Sequence, residues 1–253
     1  MGSGELREQA YRHLHQKILS GELVPGSRIS EQSISKELGT SRMPVRDAIR
    51  QLQNEGLVEQ VPRFGTVIFK PKRKDVVDLY QLREALESHA AAHVAKNAPP
   101  SLLEKLAIYV EAMKTLREEL KRENLALLSR NALMRYLAID MAFHILIIQS
   151  TGNVRLIKTL KDTQSLSQVF RARRQHHDRE MIEDAVEHHQ SIYEALKKGD
   201  AEAARVAMAK HIQNSMRMIL EHFDREHEVD HQNLTPDLPP DILRELSFLE
   251  EEE

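Results

Sequence analysis

The chain has 253 residues, 41% hydrophobic and 30% charged, an ordinary globular balance with enough apolar material for a real core and a length that fits one large domain or, better, two. It has no Cys, which excludes disulfides and thiolate metal sites, and with 4% aromatics and no Trp its core must be aliphatic, favouring helices packed on helices over a sandwich. The net charge is −3, but residues 1–72 hold 11 basic and 8 acidic residues (+3) and residues 73–253 hold 25 and 31 (−6), the balance of a DNA-binding head on a body that does not touch DNA. The longest apolar run, Leu106 to Val110, is far too short to span a bilayer, and no basic stretch followed by an apolar one opens the chain. A cytoplasmic protein with no membrane partner is expected.

In chain order, Glu5 to Leu19 reads as a helix with apolar Ala10, Leu14, Ile18 and Leu19. Ser20 to Gly26, with two glycines and a proline, breaks it. A short helix is predicted from Glu31 to Leu38, capped by Ser30 and ended by Gly39-Thr40. A third runs from Ser41 to Glu55 and stops at Gly56. The period then changes: 57–61 and 66–69 are β-type runs separated by a turn at Pro62-Arg63-Phe64-Gly65. Three helices and a hairpin make residues 1–72 a winged helix-turn-helix, followed by a basic linker, Lys70 to Lys74.

Everything after Asp75 reads as helix. Val76 to Lys96 carries Val76, Leu79, Leu82, Leu86 and Ala90 near 3.6-residue spacing, and Asn97 to Pro100 stops it. Ser101 is placed to cap the next helix, which reaches Arg122; others are predicted at 124–150, 153–174, 179–198 and 200–227. Residues 73–228 therefore form an antiparallel all-α bundle of six or seven helices, and the fold class is mainly α. In the tail, 229–253, His231 to Pro240 reads as loop, Asp241 to Leu249 as a short helix, and Glu250 to Glu253 as a frayed acidic end.

Within the head, Ile34 and Leu38 give one helix an apolar face and Val45, Ile49 and Leu52 give one to the next, so the two pack around the Gly39 turn. Arg42, Met43, Arg46 and Arg50 are left facing outward. Ser41 caps this second helix, and Pro44 sits in its first turn, where a missing N–H costs little. That end enters the major groove in helix-turn-helix docking. Arg42 and Arg46, four apart, project from one side; each can take a guanine edge in bidentate fashion, worth about 1–3 kcal/mol of discrimination, or hold a phosphate. Any one of these arginines could equally be solvating a surface helix. The ordered run of helix, turn, basic helix and wing argues against that for the set.

Pro25 to Glu31, then Leu38-Gly39-Thr40-Ser41-Arg42-Met43-Pro44-Val45-Arg46-Asp47-Ala48-Ile49, then Leu52 to Val58 resemble the GntR family of bacterial regulators. The resemblance implies that Arg42 and Arg46 contact DNA and that the wing near Gly65 reaches the minor groove or its phosphates. The expected DNA-contact set is Ser41, Arg42, Met43, Arg46, Arg50 and Gly65. Met43 departs from the family's usual Thr, losing a hydroxyl, so a shifted operator preference is expected. Gln32 is assigned no contact.

In the second half, Asp140 and His144 stand four apart, on one helix face. His189 and His211 lie in two later helices. One carboxylate and three imidazoles facing a common interior would suit Zn, Ni, Mn or Fe(II), leaving positions for water or an oxygen ligand. The alternative is an ordinary surface pairing in a chain with 13 His, of which His176, His177 and His188 read as surface.

Asp140 to His144, Gly152-Asn153, Glu187 to Asp200 and Ala204 to His211, with Arg83-Glu84-Ala85-Leu86-Glu87 as an opening helix, resemble the FCD effector domain of the FadR subgroup. With the head, the resemblance covers roughly residues 5 to 225. It implies a divalent metal (Zn, Ni or Mn) at Asp140, His144, His189 and His211; Ile192 and Leu196 favour His189 over the adjacent His188. It further implies a small carboxylate or sugar-acid effector that completes the coordination. Arg83 would pair with that anion, or equally with a nearby acid in a structural ion pair, and Asn214 would line the cavity one turn beyond His211. A homodimer on double-stranded operator DNA is expected.

The expected function is a ligand-responsive regulator, a repressor released by its effector. The alternatives are a metal-dependent enzyme acting on a small organic acid, against which no motif places a general base, and a regulator whose metal is purely structural.

Overall fold

A computed structural model describes residues 3–122, 128–173 and 179–233. The head holds α1 (Ser3–Leu19), α2 (Glu31–Glu37), α3 (Arg42–Asn54), β1 (Val58–Val61) and β2 (Gly65–Ile68). Ala10, Leu14 and Ile18 give α1 one buried stripe, which packs with Ile34, Val45, Ala48, Ile49 and Leu52 from α2 and α3 and with Leu57, Val58 and Ile68 from the wing. Gly39 makes the α2–α3 turn at φ +62°, a conformation that costs glycine little.

The two serines expected to cap α2 and α3 behave differently. Ser30 accepts the Ser33 N–H at 3.2 Å. Ser41 holds the cap position of α3, extended at ψ 168°, but makes no side-chain cap bond. The reason lies three residues on: Ser33 offers an N–H, whereas Pro44 has none to give.

The wing is an antiparallel pair with Val58 opposite Ile68 and Val61 opposite Gly65. Arg28 adds an antiparallel bridge to Val67, so the Gly26–Ile29 segment lies along β2, which the hydropathy pattern does not predict. Gly65 sits at φ +99°, and a Cβ there would come 3.2 Å from the Arg28 Nε.

The body is α4 (Arg73–Ala95), α5 (Pro100–Arg122), α6 (Arg130–Ser150), α7 (Val154–Arg173), α8 (Arg179–Lys198) and α9 (Ala201–Asn233): six helices among the described residues. α4 packs chiefly on α9, α8 lies against α9 and α5, and α6 packs on α5 and α4. α4 starts earlier than predicted because the Lys72 N–H donates to the Asp75 carboxylate at 2.7 Å; Arg73 and Lys74 are therefore helix, not linker. α5 also starts earlier, at Pro100, so Ser101 is inside the first turn and does not cap it. Proline is preorganised for the first helical position. Ser129 caps α6 by accepting the Ala132 N–H, and Asn153 caps α7 by accepting from Arg155 and Leu156.

α9 runs to Asn233, six residues beyond the expected end; no Gly or Pro interrupts residues 228–233, and the next proline is Pro236. The loop assigned from His231 is helical through Asn233. The rest of that loop, the short helix at Asp241 to Leu249, the acidic end, and His176 and His177 lie outside the described residues.

α6 is the most apolar helix and by length and composition could cross a membrane. Here it is a core helix, with Phe143, Ile147 and Ile148 buried in the bundle. Head and body meet along α1 and α7, where Leu166 packs against both cores.

Candidate metal centre and DNA-reading face

Asp140, His144, His189 and His211 converge inside the bundle from α6, α8 and α9, with 1, 3, 0 and 3% of their surfaces exposed. One donor atom from each lies within 4.8 Å of every other. Donors about 2.0–2.2 Å from a common ion stand roughly 3–4 Å apart, so a small inward shift closes the set.

The His144 and His189 rings each turn one nitrogen into the cluster and the other to a fixed partner. His189 Nδ1 donates to the Ala185 carbonyl at 2.6 Å, which leaves its Nε2 lone pair facing the cluster. That Nε2 is buried without a hydrogen-bond partner, 3.3 Å from Asp140 Oδ1. His144 Nδ1 lies 2.6 Å from Glu87 Oε2, and its Nε2 stands 3.1 Å from His211 Nε2. His189 Nε2 and Asp140 Oδ1 face each other as acceptors at 3.3 Å, an arrangement that a cation between them, a proton or a metal ion, would satisfy. Three imidazoles and one carboxylate, with an unsatisfied inward nitrogen, fit a divalent ion.

Glu87, on α4, joins this buried cluster, a placement that spacing along the chain does not predict. Burial raises its carboxyl pKa, but the Arg83 charge, the His144 ring and their hydrogen bonds overcome this and hold it at about 2. Glu87 is therefore ionised and only accepts, so His144 Nδ1 carries the proton. A carboxylate behind a ligand imidazole fixes its tautomer and raises its basicity. Its burial alone leaves a trace: Val76, Leu79, Tyr80, Arg83, Glu87, Ala90, Ala91 and Val94 form the buried stripe of α4, and two charged residues interrupt it.

Arg83 is buried too, its Nε 2.7 Å from Glu87 Oε1 and its guanidinium over the Tyr80 ring. It stands behind the cluster as part of an Arg83–Glu87–His144 chain. Asn214 is half-buried, and its polar contacts run along α9, to Arg217 and Met218. His188, expected on the surface, is half-buried, its ring 5.9 Å from that of His211, and desolvation and Lys210 lower its pKa.

On the head, Ser41, Arg42, Met43, Arg46 and Arg50 are all exposed along one side of α3, and Val45, Ala48, Ile49 and Leu52 are buried on the other. Met43 is 59% exposed and Phe64, at the wing tip beside Gly65, 54%. Arg50 lies 3.6 Å from Asp47 on its own helix. Arg46 is held across the helix pair by Glu31, at 2.9 and 3.1 Å.

Residues 6–68 match the bacterial regulatory proteins of the gntR family, and residues 78–214 match the FCD domain. A probable D-xylose utilization operon transcriptional repressor of Paenarthrobacter nicotinovorans is 30% identical over 78% of this chain and 80% of its own. The transcriptional repressor RspR of Escherichia coli is 27% identical over 82% of this chain and 86% of its own. Among solved structures, E. coli McbR/YncC superposes with TM-score 0.70 at 19% identity, covering 86% of this chain and 98% of that one. A GntR regulator from Rhodococcus sp. RHA1 gives 0.66 at 20%, covering 85% and 97%. Both structures share the fold, and the related proteins are regulators of transcription rather than enzymes. The chain belongs to the GntR family of bacterial transcription regulators, its helix-turn-helix head followed by an FCD domain.

Proposed function

We propose that the protein is a metal-containing, effector-released repressor that binds operator DNA as a homodimer. The head, residues 1–72, reads DNA in the cytoplasm and the body, residues 73–228, senses a small molecule. Arg42 and Arg46 read base edges, Ser41 and Arg50 hold phosphates, and Gly65 lets the wing backbone approach the minor groove. Met43, which departs from the Thr of the family pattern, offers an apolar surface that suits a thymine methyl.

The observation that carries the sensing half is the buried His189 Nε2, without a hydrogen-bond partner and aimed into a cluster of metal-ligand atoms. Asp140, His144, His189 and His211 would hold a divalent ion, Zn, Ni or Mn, which when bound supplies a Lewis-acidic centre for an oxygen of a small carboxylate or sugar acid. Glu87 orients His144, and Arg83, neutralised by Glu87, acts through that carboxylate rather than as the effector's own counter-ion. Asn214, one turn beyond His211 on α9, would have to turn from Arg217 to meet the effector. A shift of the body would reach the head through α7, whose Leu166 touches both cores, and change the spacing of the two heads.

The near-complete burial of all four donors supports a second reading, a metal that only ties α6, α8 and α9 together. The test is an electrophoretic shift with the full chain on fragments of its source genome at increasing salt. Sequence-specific, salt-sensitive complexes dissolved by one of a panel of organic acids are expected. Absence of any specific complex would reject the DNA reading. Specific complexes that no acid dissolves, with a melting temperature raised by metal but not by acids, would favour the structural metal.

A further inference from the structure

Glu31 and Arg46 come from different helices: Glu31 is the first residue of α2, and Arg46 lies in the second turn of α3, on its exposed side. Arg46 Nε donates to Glu31 Oε1 at 3.1 Å and Nη2 donates to Oε2 at 2.9 Å. The carboxylate therefore takes the guanidinium side-on. A guanidinium carries five N–H donors in one plane. The side-on pair uses Nε–H and one N–H of Nη2. What is left is the end-on edge, with donors on both terminal nitrogens. Among the described residues no other side chain hydrogen-bonds to Arg46.

An arginine reads guanine in the major groove by giving two parallel hydrogen bonds to O6 and N7. A side-on clamp and an end-on base contact use different N–H groups and can coexist on one side chain. The clamp is not part of the head's core: 46% of the Arg46 side chain and 31% of the Glu31 side chain are exposed. It also runs against simple electrostatics, since it places a carboxylate on a face meant for phosphates. The Arg46 hydrogen bond, with Arg42 and Arg50 nearby, holds the Glu31 carboxyl below its usual range, so the charge is present at neutral pH. An exposed arginine that must order on binding loses rotamer freedom at that moment. One already held in a fork has less to lose.

We infer that Glu31 is a positioning residue for base recognition: its carboxylate clamps the side-on edge of Arg46 so that the end-on edge is presented to the N7 and O6 of a guanine. This rests on the reading of the head as a sequence-specific DNA binder.

The test uses the full chain and a duplex that the wild type itself selects from a random-sequence pool. Binding is followed by fluorescence anisotropy, with each guanine replaced in turn by 7-deazaguanine, which lacks the N7 acceptor. In the wild type, one guanine per half-site should lose about tenfold on this change, and R46A should erase that sensitivity. E31Q should bind the selected duplex about tenfold more weakly, hold a random duplex as well as or better than the wild type, and show less than a twofold 7-deaza penalty at that guanine. E31D keeps the charge at the start of α2 but withdraws the fork by one methylene, and should behave as E31Q does. Thermal melts confirm that the variants are folded. Operator binding by E31Q as tight as or tighter than the wild type's, with the penalty intact, would overturn the inference, since Glu31 would then be a mask or a bystander. So would weaker binding with the tenfold penalty unchanged, or a wild type with no N7-sensitive guanine governed by Arg46. If the pool enriches no sequence at all, the DNA reading itself fails; if it enriches one and the penalties do not couple, only the positioning role fails.

Discussion

His144 turns its Nδ1 to Glu87, 2.6 Å from Oε2, and its Nε2 to the cluster. One contact thus decides which nitrogen of the ring holds a proton and which offers a lone pair. A carboxylate in this position raises the basicity of the imidazole it backs. E87Q keeps the shape and removes the charge. It should weaken divalent-metal affinity about 10–100-fold, measured by competition with a chelating dye. Equal affinity in the two proteins would show that Glu87 does not tune the ligand.

Glu87 also neutralises a buried arginine. E87A would leave Arg83 charged, 6% exposed and without that partner. The expected loss in urea unfolding is about 3–5 kcal/mol, because a buried charge that loses its carboxylate is not resolvated. Replacing both residues, R83M with E87L, should cost less than E87A alone.

The same carboxylate predicts a pH dependence in metal-free protein. Its folded pKa, about 2, lies below the ordinary 4.5, so the folded state binds the proton less readily than the unfolded chain. The stability it contributes is full above about 4.5 and is lost as pH falls from there toward about 2. The gap in unfolding free energy between wild type and E87Q should therefore narrow with acidification through that window. A gap that widens would contradict the sign.

Metal removal should destabilise the body. An ion present at 100 times its dissociation constant adds about 2.7 kcal/mol. Chelation should lower the melting temperature of the wild type and leave H189A unmoved. If both fall equally, the ion binds elsewhere.

On the head, R42A and R46A should each relax discrimination at one base position by about 1–3 kcal/mol, read by competition among single-base operator variants. R50A should weaken all duplexes alike and reduce the slope of log affinity against log salt by about 1. M43S should lose sensitivity to thymine-to-uracil replacement at the position it faces. A wild type indifferent to every such replacement would remove the methyl contact.

The order of elements was legible because Gly56, Gly152 and Gly199 sit at the breaks and the apolar residues keep a helical period between them. That His189 lies on an apolar helix face was legible from Ile192 and Leu196, and the residue is 0% exposed, but preferring it to His188 also needed the family register. Helix ends were harder. Ser41 has the residue type of a cap, but Pro44 withholds the N–H it needs, and Ser101 yields the start of α5 to Pro100. The Arg28–Val67 bridge involves one residue on each side and leaves no periodic trace. Glu87 and His144 are 57 residues apart, and Glu31 and Arg46 are 15 apart. Such pairings are set by how helices cross, which spacing along the chain does not encode.

The most direct test is one titration: anisotropy of a labelled operator duplex bound to metal-loaded full-length protein, with small carboxylates and sugar acids added in turn, repeated on H189A. The expected result is that at least one acid releases the wild type from DNA, whereas H189A binds the duplex and ignores that acid. Release of both proteins at the same acid concentration would contradict a sensing centre at Asp140, His144, His189 and His211.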